Sequence, residues 1–492
     1  MRKYFFLLPL IFLNFLFAQN KSQLDIIESE EYRDKFYALD EILVNYMSPS
    51  GLTGVIRKGN RDILFEIFDK NFKPIFNKVI KWELKEKAAG YVVFEDQIKV
   101  FTVYSPRAKK RIVYCYIFNL RDHSYKRVQV FETILEKSSN LLFSNKKYQK
   151  SFGISPNGNF IVIATENIKK KSHSYTIRIF NSTTLEEVYK QSYNEGIDRF
   201  FELNDLFVDN EAKVFVLGKL FFEGKSQKKR GIANYQFVIN KITHDGVEKL
   251  GIKLVDYHIK SLSFSIKDDE LHLLGFYSKK NVDRIKGACV FILNFDSFEI
   301  VDNLEYELPE KVYQDLYGYR ESIEKKDKEL SNFKLDFVLK NDKGDSYWLA
   351  EEFYITYRSS GYGAYYPVYH YDDILILKFN SKDELLWGRS IFKRSFKSSY
   401  YAFLKDDKLH VILNSGKDLK KKNDGRTKAS KGWLESTALY DFVYSKIGNV
   451  SYDKIQDNKG KSYYRPYYGI FQNDKFIMMN AISLKRRFMI LE

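Results

Sequence analysis

Apolar and polar residues alternate along most of this chain in short runs, and successive runs meet at Asp, Asn or Gly. Aromatic and β-branched runs of this length fit a pleated strand better than a helix, and those turn residues accept left-handed backbone or close Asx-turns. Strand, tight turn, strand is therefore the repeating unit. One kind of hairpin recurs seven times, as GYVVFEDQIKVFTVY (90–104), FGISPNGNFIVIATEN (152–167) and again at 206–220, 262–277, 336–353, 401–415 and 468–482. A second kind, longer and more charged, recurs at 61–80, 111–131, 174–193, 234–254, 288–308, 372–392 and 438–455. Matching turn residues from Asp69 to Ser445 are spaced by about 63 residues on average, which fits a four-stranded propeller blade with long loops.

The phase of the repeat predicts how the ring closes. The chain starts on a second-type hairpin and ends on a first-type one, so six complete pairs lie between 90 and 455. The half-pairs at 61–80 and 468–482 are expected to share a further blade, which leaves no open sheet edge. The expected fold is an all-β propeller of about seven four-stranded blades, closed by N- and C-terminal strands in one blade. GLTGVIR (51–57) and RRFMILE (486–492) also read as strands, more than one shared blade can hold, and eight blades is the alternative. Residues 19–60 are read as a segment packing on the propeller, and 61–492 as the propeller itself. An insertion at 309–333 carries Val312, Leu316, Tyr319 and Ile323 at helical spacing and is expected to lie as a helix against the rim.

Residues 1–18 read as a signal peptide. Arg2 and Lys3 precede an apolar run from Phe5 to Phe17, and Ala18 offers a small residue for cleavage before Gln19. The run is short for a membrane span, and no Cys follows it to carry a lipid. The mature chain is thus expected to be exported, periplasmic or extracellular, a monomer with no transmembrane segment and not a lipoprotein. With 44% apolar residues and only 8 Pro the chain is not a disordered one. A genome rich in A and T would favour its 41 Phe and 37 Tyr in any case, so spacing weighs more than composition here. The two cysteines, Cys115 and Cys289, fall in third strands three blades apart, too distant for a disulfide, and read as buried free thiols.

Charge is unevenly distributed among the loops. In a propeller the connections between second and third strands emerge on one face. Five of them, SPRAKKR (105–111), ENIKKKSH (166–173), FEGKSQKKR (222–230), SKKNVDRIK (278–286) and the long segment 416–435, together carry +16, equal to the formal net charge of the chain. First-hairpin turns on the opposite face hold Glu95, Asp96, Asp209, Glu211, Asp342, Asp406, Asp407 and Asp474. One basic and one mildly acidic face follow, and a field of that kind draws anions to the basic side. Candidate binding residues on that side are the loop cations Lys228, Lys229, Arg230, Lys420, Lys421 and Lys422. Lys150, Lys260, Lys334, Lys397 and Arg465, which start the innermost strands of five blades, would ring the channel mouth. The second-to-third connection ITYRSSGYGAYYPVYHYDD (355–373) is rich in tyrosine instead. Tyr362, Tyr365, Tyr366 and Tyr369 could stack on sugars or bases, or simply pack on a neighbouring blade.

Catalytic signatures are scarce. The sequence has no H-E-x-x-H, G-x-S-x-G, phosphate loop, G-x-G-x-x-G, zinc-spaced Cys/His cluster or Asp-rich calcium loop, so no catalytic residue, metal or cofactor is assigned. His272 and His410 occupy a column that other blades fill with Lys99, Ile161, Phe215, Trp348 and Ile477, which reads as packing between blades. His370, in the tyrosine segment, is the best-placed catalytic candidate but has no partner identifiable in sequence.

SPNGNFIVIA (155–164) resembles the turn of WD40-like and TolB-type propeller repeats, and FNSKDELLWGRS (379–390) is similar to quinoprotein-type repeats. Each likeness covers one blade. As a whole the chain, with its leader ending FAQN, resembles exported β-propeller-like proteins of Bacteroidota. Fold does not assign function. The reading favoured by charge is a non-catalytic binding or scaffold propeller whose basic face engages an acidic polysaccharide, a lipopolysaccharide head group or an acidic protein. The alternative is a propeller lyase or hydrolase acting on a uronate-rich glycan. Nucleic acid is a weaker candidate, because an exported protein meets little of it.

Overall fold

The computed structural model describes residues 23–492 except 60, 135–150, 169–172, 195–198, 268–269, 281–283, 319–329, 360–364, 424–425, 432–434 and 482. Its strands form a β-propeller of eight antiparallel blades, each a sheet built around four strands. The first strands of neighbouring blades touch one another around the axis, so the blades radiate from a lining made of first strands.

Eight is therefore the blade count, and the additional blade comes from the N-terminal region. Glu41–Met47 and Thr53–Lys58 pair with Asp62–Phe68 and Pro74–Lys81 to make a complete first blade. Residues 19–60 were read as a segment packing on the propeller, but 41–58 form its first two strands, joined across Ser48, Pro49 and Ser50. The structure uses them as a turn, with Gly51 at φ 82°. The half-pairs 61–80 and 468–482 accordingly do not share a sheet. Closure is made instead by Ile26–Glu28, which pairs with Phe488–Leu491 on the outer side of Lys475–Met479 and Ile470–Gln472. Three C-terminal strands and one short N-terminal strand thus make the eighth blade.

Eight apolar cores, one for each pair of adjacent blades, hold the ring together. Phe68, Phe72, Phe488 and Ile490 bridge the eighth blade to the first, and Phe403, Tyr464, Phe476 and Met489 bridge it to the seventh. A buried charge network reinforces this seam. Arg57 of the first blade and Arg486 of the eighth both reach Asp34, each at 2.8 Å, while Arg57 also holds Glu66 at 2.7 Å and Arg486 holds Asp40 at 3.1 Å. Both arginine side chains are buried. Burial alone would raise the Asp34 carboxyl, but the two guanidiniums outweigh it and hold it below its ordinary value.

Cys115 and Cys289 are buried free thiols in third strands of the second and fifth blades. Burial pushes both thiols up, that of Cys115 to about 12. His272 and His410 are buried too: His410 Nδ1 lies 2.7 Å from the accepting Asp441 carboxylate, and its ring stacks on Phe403 at 5.1 Å. Helix α1 (Glu310–Tyr317) buries Val312, Tyr313 and Leu316 against the outer strand of the sixth blade, and Asp315 pairs with Arg389 there at 2.6 Å. It ends at Gly318, so the expected helical positions Tyr319 and Ile323 lie outside the described residues. No helix among the described residues is long and apolar enough to cross a membrane.

Candidate functional site

Antiparallel order places the second-to-third connections at the same end of each blade as the link to the next, and among the described residues the sixth blade has the longest such strands, of 14 and 15 residues. Ser346–Ser359 and Tyr365–Phe379 stay paired as far as Ser359 and Tyr365. The tyrosine segment expected to be a loop is thus mostly hairpin, because its β-branched and aromatic residues outweigh the single Pro367, which sits on a two-stranded stretch where a missing N–H is tolerated.

Alternation gives this hairpin two faces. Phe353, Ile355 and Tyr357 lie opposite Tyr371, Tyr369 and Pro367 on one; Tyr354 and Thr356 lie opposite His370 and Val368 on the other. Tyr357 and Tyr369 are exposed. Tyr365 and Tyr366 pair through the backbone with Ser359 and Arg358, and Tyr362 falls outside the described residues.

A cavity lies on each side of the hairpin. The first, about 1180 Å³, is walled by Tyr369, Tyr371, Lys397, Arg465 and Tyr467. Tyr467 also lines a smaller space of about 370 Å³ that runs along the inner strands of blades four to seven. The second, about 1150 Å³, is walled by Tyr354, His370, Arg394, Lys422 and Lys428. Phe396, Lys431 and Tyr463 belong to both. Among the described residues Lys397, Lys422, Lys428 and Lys431 make no ion pair, and Lys422 rests over the Phe392 ring at 4.5 Å. The acids in these walls already have partners: Asp40 holds Arg465 at 3.0 Å as well as Arg486, and Glu41 holds Lys58 at 2.8 Å.

Where the hairpin leaves its blade, the pairing steps from Glu351 opposite Ile374 to Phe353 opposite Tyr371, so Glu352 faces both Asp372 and Asp373. Lys393 is buried against Glu351 at 2.9 Å and also donates to the Tyr371 carbonyl at 2.7 Å, while Arg394 pairs with Asp372 and Asp373. Burial, with the adjacent Asp373 and Asp372 adding to it, pushes the Glu352 carboxyl up to about 8. Burial likewise pushes Asp373 up to about 6. This carboxylate bulge was missed in the sequence, although the doublets at 351–352, 372–373 and 393–394 all mark one end of one blade.

The remaining expected site residues divide into two groups. Lys228, Lys260 and Lys334 line a separate depression of about 470 Å³ between blades four and six. Lys260 sits at a bulge in its inner strand, and the matching bulged positions hold Asn204 and Asp336, so the inner strands do not repeat a lysine at one position. Lys150 lies outside the described residues. Lys228 and Lys229 form a two-residue strand against Ile232 and Ala233, Lys229 pairs with Glu223, and Arg230 takes the turn at φ 52°. Lys420 and Lys421 do not project as a free loop. They pair with Lys428 and Thr427, and this small hairpin lies parallel to Phe392 and Lys393 of the sixth blade, with Lys420 held by Glu435 at 3.3 Å. His370 stacks on Tyr354 at 4.5 Å and is 2.8 Å from the Thr356 hydroxyl, partners that sequence spacing did not reveal.

No protein family and no curated protein matches the sequence. Solved structures similar to the chain include propeller domains. The Dos1 propeller is 7% identical at a TM-score of 0.43, with 94% of each chain covered. The WD40 domain of SCAP from fission yeast is 7% identical at 0.40, covering 95% of this chain and 94% of that one. An acylaminoacyl peptidase from Pyrococcus horikoshii is 9% identical at 0.39; it is matched over 92% of this chain, which spans only 59% of the peptidase.

Proposed function

We propose that this chain is an exported, non-catalytic binding propeller, and that the paired cavities beneath the sixth-blade hairpin take an anionic glycan. The observation that carries this reading is the combination of uncompensated Lys397, Lys422, Lys428 and Lys431 with the exposed rings of Phe396, Tyr369 and Tyr463. Lysines supply charge without demanding the flat, bidentate geometry that arginine imposes. Tyrosine and phenylalanine faces supply an apolar platform for a sugar ring, with the phenol left for hydrogen bonding. A lyase reading is less well supported, because the tyrosine nearest His370 is poorly suited to take a proton. Burial, together with the bond it donates to Asp372 at 2.8 Å, pushes the Tyr354 phenol up to about 12. The export reading rests on the leader at 1–18.

Titration with polygalacturonate and with heparin at rising salt tests the proposal. Binding should weaken beyond ~0.15 M salt, where the screening length is about 8 Å. No binding to either polymer at low salt would rule it out, and accumulation of unsaturated products absorbing at about 235 nm would favour the lyase.

A further inference from the structure

The two cavities are separate volumes with a common floor. Tyr369 and Tyr371 close one side of the hairpin, Tyr354 and His370 close the other, and the volumes meet beneath it at Phe396, Lys431 and Tyr463. Each is as large as a pocket that encloses a whole drug-sized ligand, so one sugar residue or one lipid head group would fill only part of one. Uncompensated charge is spread across both: Lys397 stands in the first, Lys422 and Lys428 in the second, and Lys431 at the junction. A compact anion in either volume would leave the lysines of the other without a counter-charge.

We infer that the site is a bipartite cleft for an extended polyanionic glycan segment, which passes under the hairpin from one cavity to the other. This deepens the proposed function and rests on it. Charge repeated along the ligand is what the arrangement recognises, and the exposed Phe396 ring at the crossing offers a flat surface for the sugar that bridges the two halves. The hairpin then acts as a partition that favours a chain over a globular anion.

A length series of galacturonate oligosaccharides, from disaccharide to decasaccharide, measured by calorimetry on the full mature chain at low salt, separates the outcomes. Affinity should rise by about tenfold or more between the disaccharide and the length that first spans both cavities, then level off. For the spanning oligosaccharide, Lys397→Glu and Lys422→Glu should each weaken binding by about tenfold, though they lie on opposite sides of the hairpin. For the disaccharide only one of them should matter. Thermal melting of both variants checks that neither has lost its fold. Equal affinity at every length, or long-chain binding sensitive to only one of the two substitutions, would overturn the bipartite cleft while leaving the proposed function standing. No binding at any length would remove both, and tighter binding of single-stranded DNA than of the decasaccharide would assign the cleft to nucleic acid instead.

Discussion

Two regions of this propeller both interleave charged and aromatic side chains and do opposite things with them. At the seam between the eighth and first blades, Arg57, Arg486, Asp34, Asp40 and Glu66 are packed among Tyr32, Phe68 and Phe488, and every charge has a partner. At the sixth-blade hairpin, lysines and aromatic rings are again interleaved, but Lys397, Lys422, Lys428 and Lys431 lack carboxylate partners among the described residues. The seam matches arginines with carboxylates, whereas the hairpin site carries lysines without them. Paired and buried charge fixes the chain to itself, whereas unpaired charge beside exposed rings is left for a ligand.

The comparison breaks most sharply at Asp34. Asp34→Ala leaves two buried guanidiniums without their shared carboxylate and should destabilise the protein by about 3–5 kcal/mol, read by equilibrium urea unfolding. A loss under about 1 kcal/mol would mean that the seam does not depend on this network. Replacing Phe396 and Tyr369 by Ala should do the reverse. Affinity for polygalacturonate should fall by about tenfold or more, with folding stability within about 0.5 kcal/mol of the parent.

The carboxylate bulge lies between these extremes, being partly buried and only partly compensated. Glu352 has a folded-state value of about 8 against an ordinary 4.5, so the folded protein holds its proton more tightly than the unfolded chain. Its stabilising contribution is fully present below about 4.5 and is lost progressively as pH rises from there to about 8. Glu352→Gln, which keeps the neutral shape, should match the parent at pH 5 and melt higher by on the order of 1–2 °C at pH 9. A smaller effect is expected at the thiols. Burial pushes both cysteines up, so a maleimide should label Cys115 and Cys289 only as fast as the protein opens, at a rate insensitive to pH between 7 and 8.

Much of the ring was legible because a pair of hairpins repeated about every 63 residues leaves many independent marks. Its ends were not. The closing strand Ile26–Glu28 is three residues long, too short for alternation to be read, and the turn of the first blade, at Ser48–Gly51, contains Pro49 in place of the Asp or Asn used elsewhere. The site was legible in part. Register sorted Lys397, Arg465, Lys422 and the tyrosine segment onto one end of the blades, but not which blades would share a cavity. Lys228, Lys260 and Lys334 come from blades four, five and six and line another depression. Lys420 and Lys421 carry the same charge as Lys422 but are engaged in a small hairpin, a pairing that no spacing rule anticipates. Phe396 stood out in no pattern, since it is a lone aromatic in a link between blades.

The most direct test is the salt dependence of glycan affinity for the parent and for a variant in which Lys397, Lys422, Lys428 and Lys431 are all replaced by Gln. Removing four ligand-facing charges should flatten the slope of log Kd against log salt by several units, while the urea midpoint stays where it was. An unchanged slope with a lowered midpoint would show that these lysines serve the fold, as the charges at the seam do, and would contradict the division drawn between the two regions.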